Sequence, residues 1–542
     1  MSGQILIPPP RNEPVLDYAP GSPERTELKA TLQEMVDHPV EIPLIIDGEE
    51  VHTGNVHDFV MPHDHQHVLA TWHAAGPAEL DRAVESGRKA WREWSRTPWE
   101  DRAAIFLKAA DLLAGPWRAT INAATMLGQS KTAHQAEIDA ACELADFFRF
   151  NAWFAEGIHA QQPISTPGVW NRLEYRPLEG FIYAVSPFNF TSIGGNLPGA
   201  PALMGNVAIW KPSHTALLSN YYVMRVLMEA GLPPGVINFV AGDSGAITDH
   251  LLEQRDFAGL HFTGSTAVFQ MFWKRIGGNI AGYGSYPRIV GETGGKDFVL
   301  AHPSADPGAL VTALIRGAFE YQGQKCSAAS RAYIPASLWE QMGEELVRQT
   351  EGITMGDPAD FRNFMGAVID DRAFRKLSGF IDGARASSDA EVIAGGEYDD
   401  SRGWFIRPTL IRAADPRYVT MCEELFGPIL TLHVYPDDEW QRTLELVDTT
   451  SPYALTGAVF AQERRVLREA AEALRHAAGN FYLNDKPTGA VVGQQPFGGS
   501  RASGTNDKAG SAANLMRWIT PRTLKETFDP PREYRYPFMQ EK

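Results

Sequence analysis

The chain has 542 residues, of which 44% are hydrophobic and 21% are charged, so it can form several domain-sized units with large cores. Asp and Glu number 66 against 49 Lys and Arg, and the net charge of −17 argues against nucleic acid or an anionic membrane as a partner. Three cysteines do not make a disulfide framework, and no run approaches 18 apolar residues. The N-terminal sequence shows no targeting pattern, so we expect a cytoplasmic protein.

The chain is predicted to begin with an arm and a mostly helical region. Residues 1–29 are rich in proline and weakly patterned, which favours an arm lying on the surface. Over residues 30–160, apolar residues recur at helical spacing in two long windows. We therefore expect mostly helix in this region.

From about residue 181, short apolar runs alternate with helical windows. The predicted strands are 181–185, 206–210, 236–241, 259–264, 288–292 and 297–301. This alternation predicts βαβ units and a parallel sheet that binds ligands at the carboxyl ends of its strands. A second α/β region follows to about residue 480, then a Gly-rich loop region at 484–510 and a tail of strand and coil.

Two motifs carry residues suited to covalent catalysis. In YQGQKCSAASR, Cys326 is a candidate nucleophile with small residues after it, and the alternative is a buried structural cysteine. In GETGGKD, Glu292 closes a predicted strand and is a candidate general base, and the alternative is a solvated turn residue. Cys142 and Cys422 are expected to be structural.

Other polar residues also follow predicted strands. Asn189 in SPFNF can donate its side-chain amide to an oxyanion, unless it bonds its own backbone. Lys211 in WKPS can reach ribose hydroxyls or remain solvated. Gly264 and Ser265 open a helix whose N-terminus can bind phosphate, although the G-x-G-x-x-G fingerprint is absent. The segment EELFGPI adds a further acidic and aromatic pair before a Gly-Pro turn.

Five histidines between residues 52 and 67 form a separate pattern, in which HDHQH places three on one strand face. Such a face can bind a metal. No cysteine or carboxylate set completes the site, and an exposed hairpin edge accounts for the pattern, so we predict no metal. The histidines are His52, His57, His63, His65 and His67.

The order of these motifs resembles that of the NAD(P)-dependent aldehyde dehydrogenases. The matching positions are Asn189, Lys211, Gly264, Glu292, Cys326, Glu424 and Phe426. Longer segments are similar to one subfamily, the Δ1-pyrroline-5-carboxylate (glutamate-γ-semialdehyde) dehydrogenases. These segments are NEPVL, GSPER, QAEIDAACELADFFRFNA, SPFNFTSIGGNLP, YQGQKCSA, KPTGA and GQQPFGGSRASGTNDK. The resemblance extends from about residue 12 to 525.

This resemblance implies oxidation of L-glutamate γ-semialdehyde, which is in equilibrium with Δ1-pyrroline-5-carboxylate, to L-glutamate in proline catabolism. Cys326 matches the nucleophile that becomes a thioester, Asn189 the oxyanion donor and Glu292 the base that activates water. Two alternatives remain open. One is a dehydrogenase of another acidic semialdehyde, and the other is a catalytically silent binding protein on the same scaffold.

The resemblance also implies residues that hold the cofactor and the substrate. The expected NAD contacts are Ser186, Lys211, Gly264, Ser265, Glu424 and Phe426. His214 stands where many NAD-using members carry an acid, which leaves NADP open, and NAD is favoured. The expected substrate contacts are Ser327, Gly489 and Ala490 for the carboxylate, Phe190 and Phe497 for the aliphatic part, and Glu143 for the ammonium.

By resemblance, the fold is α/β, with a doubly wound cofactor-binding domain, an α/β catalytic domain and a β-arm. The implied boundaries are 1–29 for the N-terminal arm, 30–159 and 179–291 for the cofactor-binding domain, 292–484 for the catalytic domain, 485–511 for the substrate-anchor loop region, and 160–178 with 512–542 for the oligomerisation arm. A projecting arm is unstable alone, so we expect a homodimer or larger homo-oligomer. A contact with a separate proline dehydrogenase stays open.

Overall fold

The computed structural model describes residues 5–540. Within that range, none of the helices has both the length and the apolar character needed to cross a membrane. Two seven-stranded sheets dominate the described chain, and each is covered by helices. The α/β class predicted from the sequence is confirmed.

The N-terminal region holds one helix and five short strands. Helix α1 spans Pro23–Asp37, and the side chain of Ser22 caps it by accepting the N–H of Arg25. The strands β1–β5 span Val40–Ile42, Leu44–Ile46, Glu49–Val51, Val56–Met61 and Asp64–His73. Apart from the hairpin edge expected at the histidines, the sequence pattern missed these strands, because three of them have only three residues and two, β3 and β4, expose at least half of theirs.

A helical layer follows, as the apolar spacing predicts. Helices α2–α6 span Pro77–Trp94, Trp99–Ala114, Arg118–Gln129, Ala133–Ala136 and Leu144–His159. A π-helical segment, Glu137–Glu143, joins the last two. Such segments are uncommon and often occur at functional sites. This one carries Asp139 and Glu143.

The first large sheet contains most of the predicted βαβ units. Its later strands are β7 Phe181–Ser186, β8 Val207–Pro212, β9 Ile237–Phe239, β10 Phe257–Thr263 and β11 Arg288–Glu292. Strand β6, Val169–Pro177, precedes them and lies outside this sheet. The helices between them are α7 Thr191–Leu203, α8 Leu217–Ala230, α9 Ser244–Leu252 and α10 Thr266–Gly278. The order is β11-β10-β7-β8-β9-β2-β3, parallel from β11 to β9.

The second large sheet has the order β14-β17-β18-β13-β12-β20-β21 and is parallel except for β14. Strands β12–β21 span Asp297–Ala301, Ala329–Pro335, Ala390–Ala394, Tyr398–Asp399, Phe405–Ile406, Thr409–Ala413, Ile429–Tyr435, Tyr453–Ala454, Thr456–Phe460 and Asn480–Leu483. Helices α11–α16 span Pro307–Phe319, Ala336–Glu351, Asp371–Ala386, Val419–Cys422, Trp440–Thr449 and Arg464–Ala473.

The remaining elements are β22 Ser500–Arg501, α17 Ala512–Leu515 and β23 Ile519–Thr527. Strand β23 pairs antiparallel with β6 over nine residues and forms a two-stranded sheet that is separate from both large ones. Most side chains of β23 are exposed. All six strands predicted between residues 181 and 301 occur in the structure, and residues 484–510 are mostly loop, as expected.

Candidate active site

A cavity of about 340 Å³ brings together the residues predicted to bind and oxidise a substrate. Strand ends of the first sheet border it on one side, and the loop before β13 borders it on another. Its wall includes eight of the residues selected from the sequence. They are Glu143, Phe190, Glu292, Cys326, Ser327, Gly489, Ala490 and Phe497.

Cys326 lies on a loop whose backbone turns sharply after α11. Tyr321, Gln322 and Gly323 all adopt left-handed conformations, with φ of 52°, 54° and 64°. A Cβ on Gly323 would overlap the carbonyl of Gly427, so glycine is required there. This turn directs Cys326 to the cavity wall, where it remains partly exposed.

The surroundings of Cys326 favour the neutral thiol in the ligand-free protein. Burial raises the pKa of Cys326 well above its ordinary value, and the carboxylates of Glu292, Asp297 and Glu424 raise it further. Cys326 is partly exposed at the cavity wall, and its thiol must lose a proton before the sulfur can attack.

Glu292 ends β11 at the edge of the same cavity. Burial raises the pKa of Glu292 to about 8, while the nearby Lys508 opposes the shift. Lys508 Nζ donates to the carbonyls of Gly479 and Gly498 at 2.8 and 2.9 Å, which fixes its position. A carboxyl group with a pKa near neutrality is suited to general base catalysis.

Asn189 lies between β7 and α7 and is almost completely buried. Among residues 5–540, the cavity wall includes its neighbour Phe190 but not Asn189 itself. Gln129 Nε2 donates to the carbonyl of Phe188 at 2.6 Å and holds this loop. Ser186, at the end of β7, accepts the indole N–H of Trp210 at 2.9 Å.

The expected cofactor contacts stand at the carboxyl ends of adjacent parallel strands. Lys211 is the penultimate residue of β8, and its Nζ lies 2.6 Å from Ser244 Oγ. Burial lowers the pKa of Lys211 to about 8. Gly264 follows β10, and Ser265 caps α10 by accepting the N–H of Val268. An ammonium, hydroxyl groups and a helix N-terminus at such an edge fit a dinucleotide.

Glu424 and Phe426 reach the same region from the loop before β18. Glu424 Oε1 accepts the N–H of Gly295 at 2.9 Å, and burial raises the pKa of Glu424. The ring of Phe426 lies 5.7 Å from that of Phe188, which joins this loop to the one carrying Asn189. Neither Glu424 nor Phe426 borders the cavity of Cys326 among the described residues.

The expected substrate anchor combines two loops. Ser327 Oγ and Thr488 Oγ1 form a hydrogen bond of 2.8 Å, and Gly489 adopts a φ of 97°. Glu143 Oε2 accepts the hydroxyl of Ser192 at 2.7 Å, and burial raises the pKa of Glu143 to about 8.

The sequence analysis missed two lysines of the cavity wall. Lys325 immediately precedes Cys326, and its Nζ lies 3.1 Å from Glu320 Oε2. Lys486 lies in the anchor loop, and its Nζ donates to the carbonyl of Thr488 at 3.3 Å. Both lysines lie in segments that carry the family resemblance, YQGQKCSA and KPTGA. A search for cations near the expected carboxylate contacts would therefore have found them.

The N-terminal segment does not simply lie on the surface, because Asn12 and Glu13 border the cavity. Asn12 Nδ2 donates to Asp146 Oδ2 and to the carbonyl of Val492, both at 2.8 Å. The N–H of Glu13 donates to Asp146 Oδ1 at 2.7 Å. These contacts join residues more than 130 positions apart, and a Pro-rich segment has no periodicity that could predict them.

The expectation that no carboxylate lies beside the histidines is wrong for His52, which forms a cluster with Glu41 and His73. The expected exposure is wrong for His63, which is buried. His73 Nδ1 accepts the N–H groups of Thr53 and Gly54, so its Nε2 carries the hydrogen and donates to Glu41 Oε1 at 2.6 Å. A metal would need the lone pair of that nitrogen. The absence of a metal stays a prediction.

The fold and the site are those of a dehydrogenase that uses a cysteine nucleophile and a dinucleotide, and comparison with known proteins agrees with this class. The model of the aldehyde dehydrogenase family matches residues 50–524. This chain therefore belongs to the aldehyde dehydrogenase family.

Within the family, the similar proteins share one description. The mitochondrial Δ1-pyrroline-5-carboxylate dehydrogenase of Dictyostelium discoideum is 53% identical over 536 residues, covering 98% of this chain and 96% of that protein. The mitochondrial enzyme of Bos taurus is 52% identical over 98% of this chain and 94% of that protein. The crystal structure of the Mycobacterium tuberculosis enzyme bound with NAD has a TM-score of 0.97 and 56% identity, covering both chains completely.

Proposed function

We propose that this chain oxidises L-glutamate γ-semialdehyde, the open form of Δ1-pyrroline-5-carboxylate, to L-glutamate with NAD⁺ in proline catabolism. The observation that carries the proposal is one cavity bordered by the Cys326 thiol, the Glu292 carboxyl group and the Ser327–Gly489 anchor. A thiol for attack, a base for hydrolysis and donors for a carboxylate are the groups that this reaction needs.

In the proposed reaction, Cys326 Sγ bonds to the aldehyde carbon and the thiol proton passes to solvent water. The side-chain amide of Asn189 and the N–H of Cys326 donate hydrogen bonds to the resulting oxyanion. Loss of a hydride from the same carbon leaves a thioester on Cys326. NAD⁺, when bound, accepts that hydride. Glu292 then takes a proton from water, whose oxygen attacks the thioester, and glutamate leaves as Cys326 regains a proton.

The residues at the strand ends are assigned to the cofactor. Lys211, buried near the end of β8, is suited to donate hydrogen bonds to ribose hydroxyls, and the N-terminus of α10 at Ser265 is suited to the pyrophosphate. Glu424 is assigned to the second ribose. Ser186, Gly264 and Phe426 complete the proposed contacts.

The part of the cavity wall formed by Ser327 and the loop of Gly489 is assigned to the amino-acid part of the substrate. Ser327 and the N–H groups of Gly489 and Ala490 are suited to its carboxylate, and Lys325 adds a nearby cation. Phe190 and Phe497 border the path of the aliphatic chain. Glu143 is assigned to the ammonium, which would favour the charged form of this carboxyl group.

We also propose the domain division and assembly implied by the sequence. The first large sheet belongs to the cofactor-binding domain, residues 30–159 and 179–291, and the second to the catalytic domain, residues 292–484. The exposed β6–β23 arm, within residues 160–178 and 512–542, supports a homo-oligomer, since an isolated pair of strands is marginally stable. A cytoplasmic location accords with three free cysteines.

The decisive assay measures the reduction of NAD⁺ to NADH and of NADP⁺ to NADPH with pyrroline-5-carboxylate, and compares it with succinate semialdehyde at equal concentrations. We expect the highest kcat/KM with pyrroline-5-carboxylate and NAD⁺. A higher kcat/KM on succinate semialdehyde would favour the other acidic substrate. No reduction of either cofactor with any aldehyde would favour a silent scaffold.

A further inference from the structure

One turn at the end of α4 contacts both loops of the proposed reaction centre. This turn, Gln129–Lys131, is called the clamp turn below. Gln129 Nε2 donates to the carbonyl of Phe188, next to Asn189, at 2.6 Å. The carbonyl of Ser130 accepts Gln322 Nε2 at 2.9 Å, on the loop that leads to Cys326. The clamp turn therefore bridges the Asn189 loop and the Cys326 loop.

Lys131 adds a second contact between the two loops, through its positive charge. Its side chain is 1% exposed, and its Nζ lies 4.3 Å from the ring centre of Phe190 and 4.4 Å from that of Tyr321. One ring follows Asn189, and the other begins the left-handed turn before Cys326. A desolvated cation is attracted to the face of an aromatic ring, so one ammonium holds a residue of each loop.

Asp139 extends the same contact to α7. Lys131 Nζ lies 2.7 Å from Asp139 Oδ2, and the two carboxylate oxygens accept the N–H groups of Thr191 and Ser192, each at 2.9 Å. These are the first two residues of α7, directly after Phe190. A carboxylate at a helix N-terminus is stabilised there. The buried Lys131–Asp139 pair thus fixes the point at which the Asn189 loop becomes helix.

Lys131 is almost fully buried, and its Nζ is engaged by Asp139 and by the two rings, so we assign it no contact with the substrate. We propose that Lys131, paired with Asp139, is a positioning residue that sets the side-chain amide of Asn189 against the sulfur of Cys326. It thereby controls stabilisation of the oxyanion. This inference rests on the proposed roles of Asn189 and Cys326.

Two reactions of Cys326 separate positioning from thiol reactivity, and neither needs the semialdehyde or NAD. With p-nitrophenyl acetate, Sγ bonds to the acetyl carbon, p-nitrophenolate leaves through an oxyanion intermediate, and the thiol proton goes to solvent. With iodoacetamide, Sγ displaces iodide without an oxyanion. The p-nitrophenolate burst and the alkylation rate are measured on the full chain of the wild type, Lys131→Met and Asn189→Ala.

For Lys131→Met, we expect acylation to slow about ten- to a hundredfold, less than the loss of a whole oxyanion donor, while alkylation changes less than about twofold. Asn189→Ala should show the same split with a larger loss. As a matched control, Lys29→Met removes an exposed lysine whose Nζ lies 5.2 Å over the Phe361 ring, and both rates should stay unchanged.

Removing one partner of a buried ion pair can unfold a protein, so Lys131→Met combined with Asp139→Asn provides a second variant without an unpaired charge. If either folded variant keeps the wild-type ratio of acylation to alkylation, Lys131 has no positioning role. An equal loss of both rates, or a wild type that is not acylated at Cys326, would also overturn the inference. A wild type that is acylated but makes no NADH from pyrroline-5-carboxylate would contradict the proposed function alone.

Discussion

Ser327 Oγ and Thr488 Oγ1 lie 2.8 Å apart, and this hydrogen bond joins the loop that carries Cys326 to the loop that carries Gly489. Both side chains are buried. The nucleophile and the proposed carboxylate anchor are therefore held at a fixed separation, which can select aldehydes by the distance between their two ends.

Ser327→Ala should weaken recognition of the substrate carboxylate. The variant removes a hydroxyl that we assign to a charged group, so KM for pyrroline-5-carboxylate should rise about tenfold or more. Steady-state kinetics with propionaldehyde, which has no carboxylate, serves as the control and should change little. An equal loss on both aldehydes would show that the hydroxyl does not recognise the carboxylate.

Gly294→Ala should impair cofactor binding. A Cβ on Gly294 would overlap the Glu424 carboxylate, so either Glu424 or the backbone after Glu292 must move. We expect the Kd for NAD⁺, measured by calorimetry, to rise. Gly278→Ala is the matched control, because a Cβ there meets no atom within 4 Å. Unchanged NAD⁺ affinity in Gly294→Ala would argue against Glu424 as a cofactor contact.

Glu292→Gln should stop the reaction after the thioester has formed. The wild-type pKa of about 8 predicts that kcat rises with pH as the carboxylate forms, up to about pH 8. In the variant, that rise should disappear, and a rapid-mixing experiment should show a burst of NADH followed by slow turnover. Full steady-state turnover in Glu292→Gln would exclude Glu292 as the base.

Glu143→Gln should change how stability depends on pH. Burial raises the pKa of Glu143 from 4.5 to about 8, so the folded protein retains a proton that the unfolded chain has released. The contribution of this retained proton to the free energy of unfolding is fully present below pH 4.5 and is lost as the pH rises through 8. The free energy of unfolding, from urea titrations between pH 5 and 8, should fall less steeply in Glu143→Gln, by at most about 1.4 kcal/mol per pH unit.

The control for this measurement is Glu344→Gln, which changes an exposed glutamate of α12. Its pH dependence should follow the wild type. If Glu143→Gln also follows the wild type, Glu143 is not protonated in the folded protein at neutral pH.

Local pattern was sufficient to predict the parallel sheets. The strands at Phe181–Ser186 and Val207–Pro212 contain continuous apolar runs. Their clear ends, with the end of Arg288–Glu292, were sufficient to predict Lys211 and Glu292 at a sheet edge. The strands between residues 40 and 73 gave a weaker signal, since short strands with exposed faces lack both a long apolar run and a regular alternation.

Long-range polar contacts could not be predicted in this way. Lys131 contacts Phe190 and Tyr321 across a large separation in sequence, and nothing in its neighbourhood indicates that an ammonium is buried there. Asn12 likewise borders the cavity only because Asp146 and Val492 accept its amide. Such contacts depend on how the elements pack, which residue spacing does not encode.

The central claim is that Cys326 is the nucleophile, and Cys326→Ala tests it most directly. NADH formation from pyrroline-5-carboxylate is followed by absorbance, beside calorimetric titration with NAD⁺ to show that the variant still binds the cofactor. We predict no NADH above the rate without enzyme and an unchanged Kd for NAD⁺. NADH formation at the wild-type rate would contradict the account.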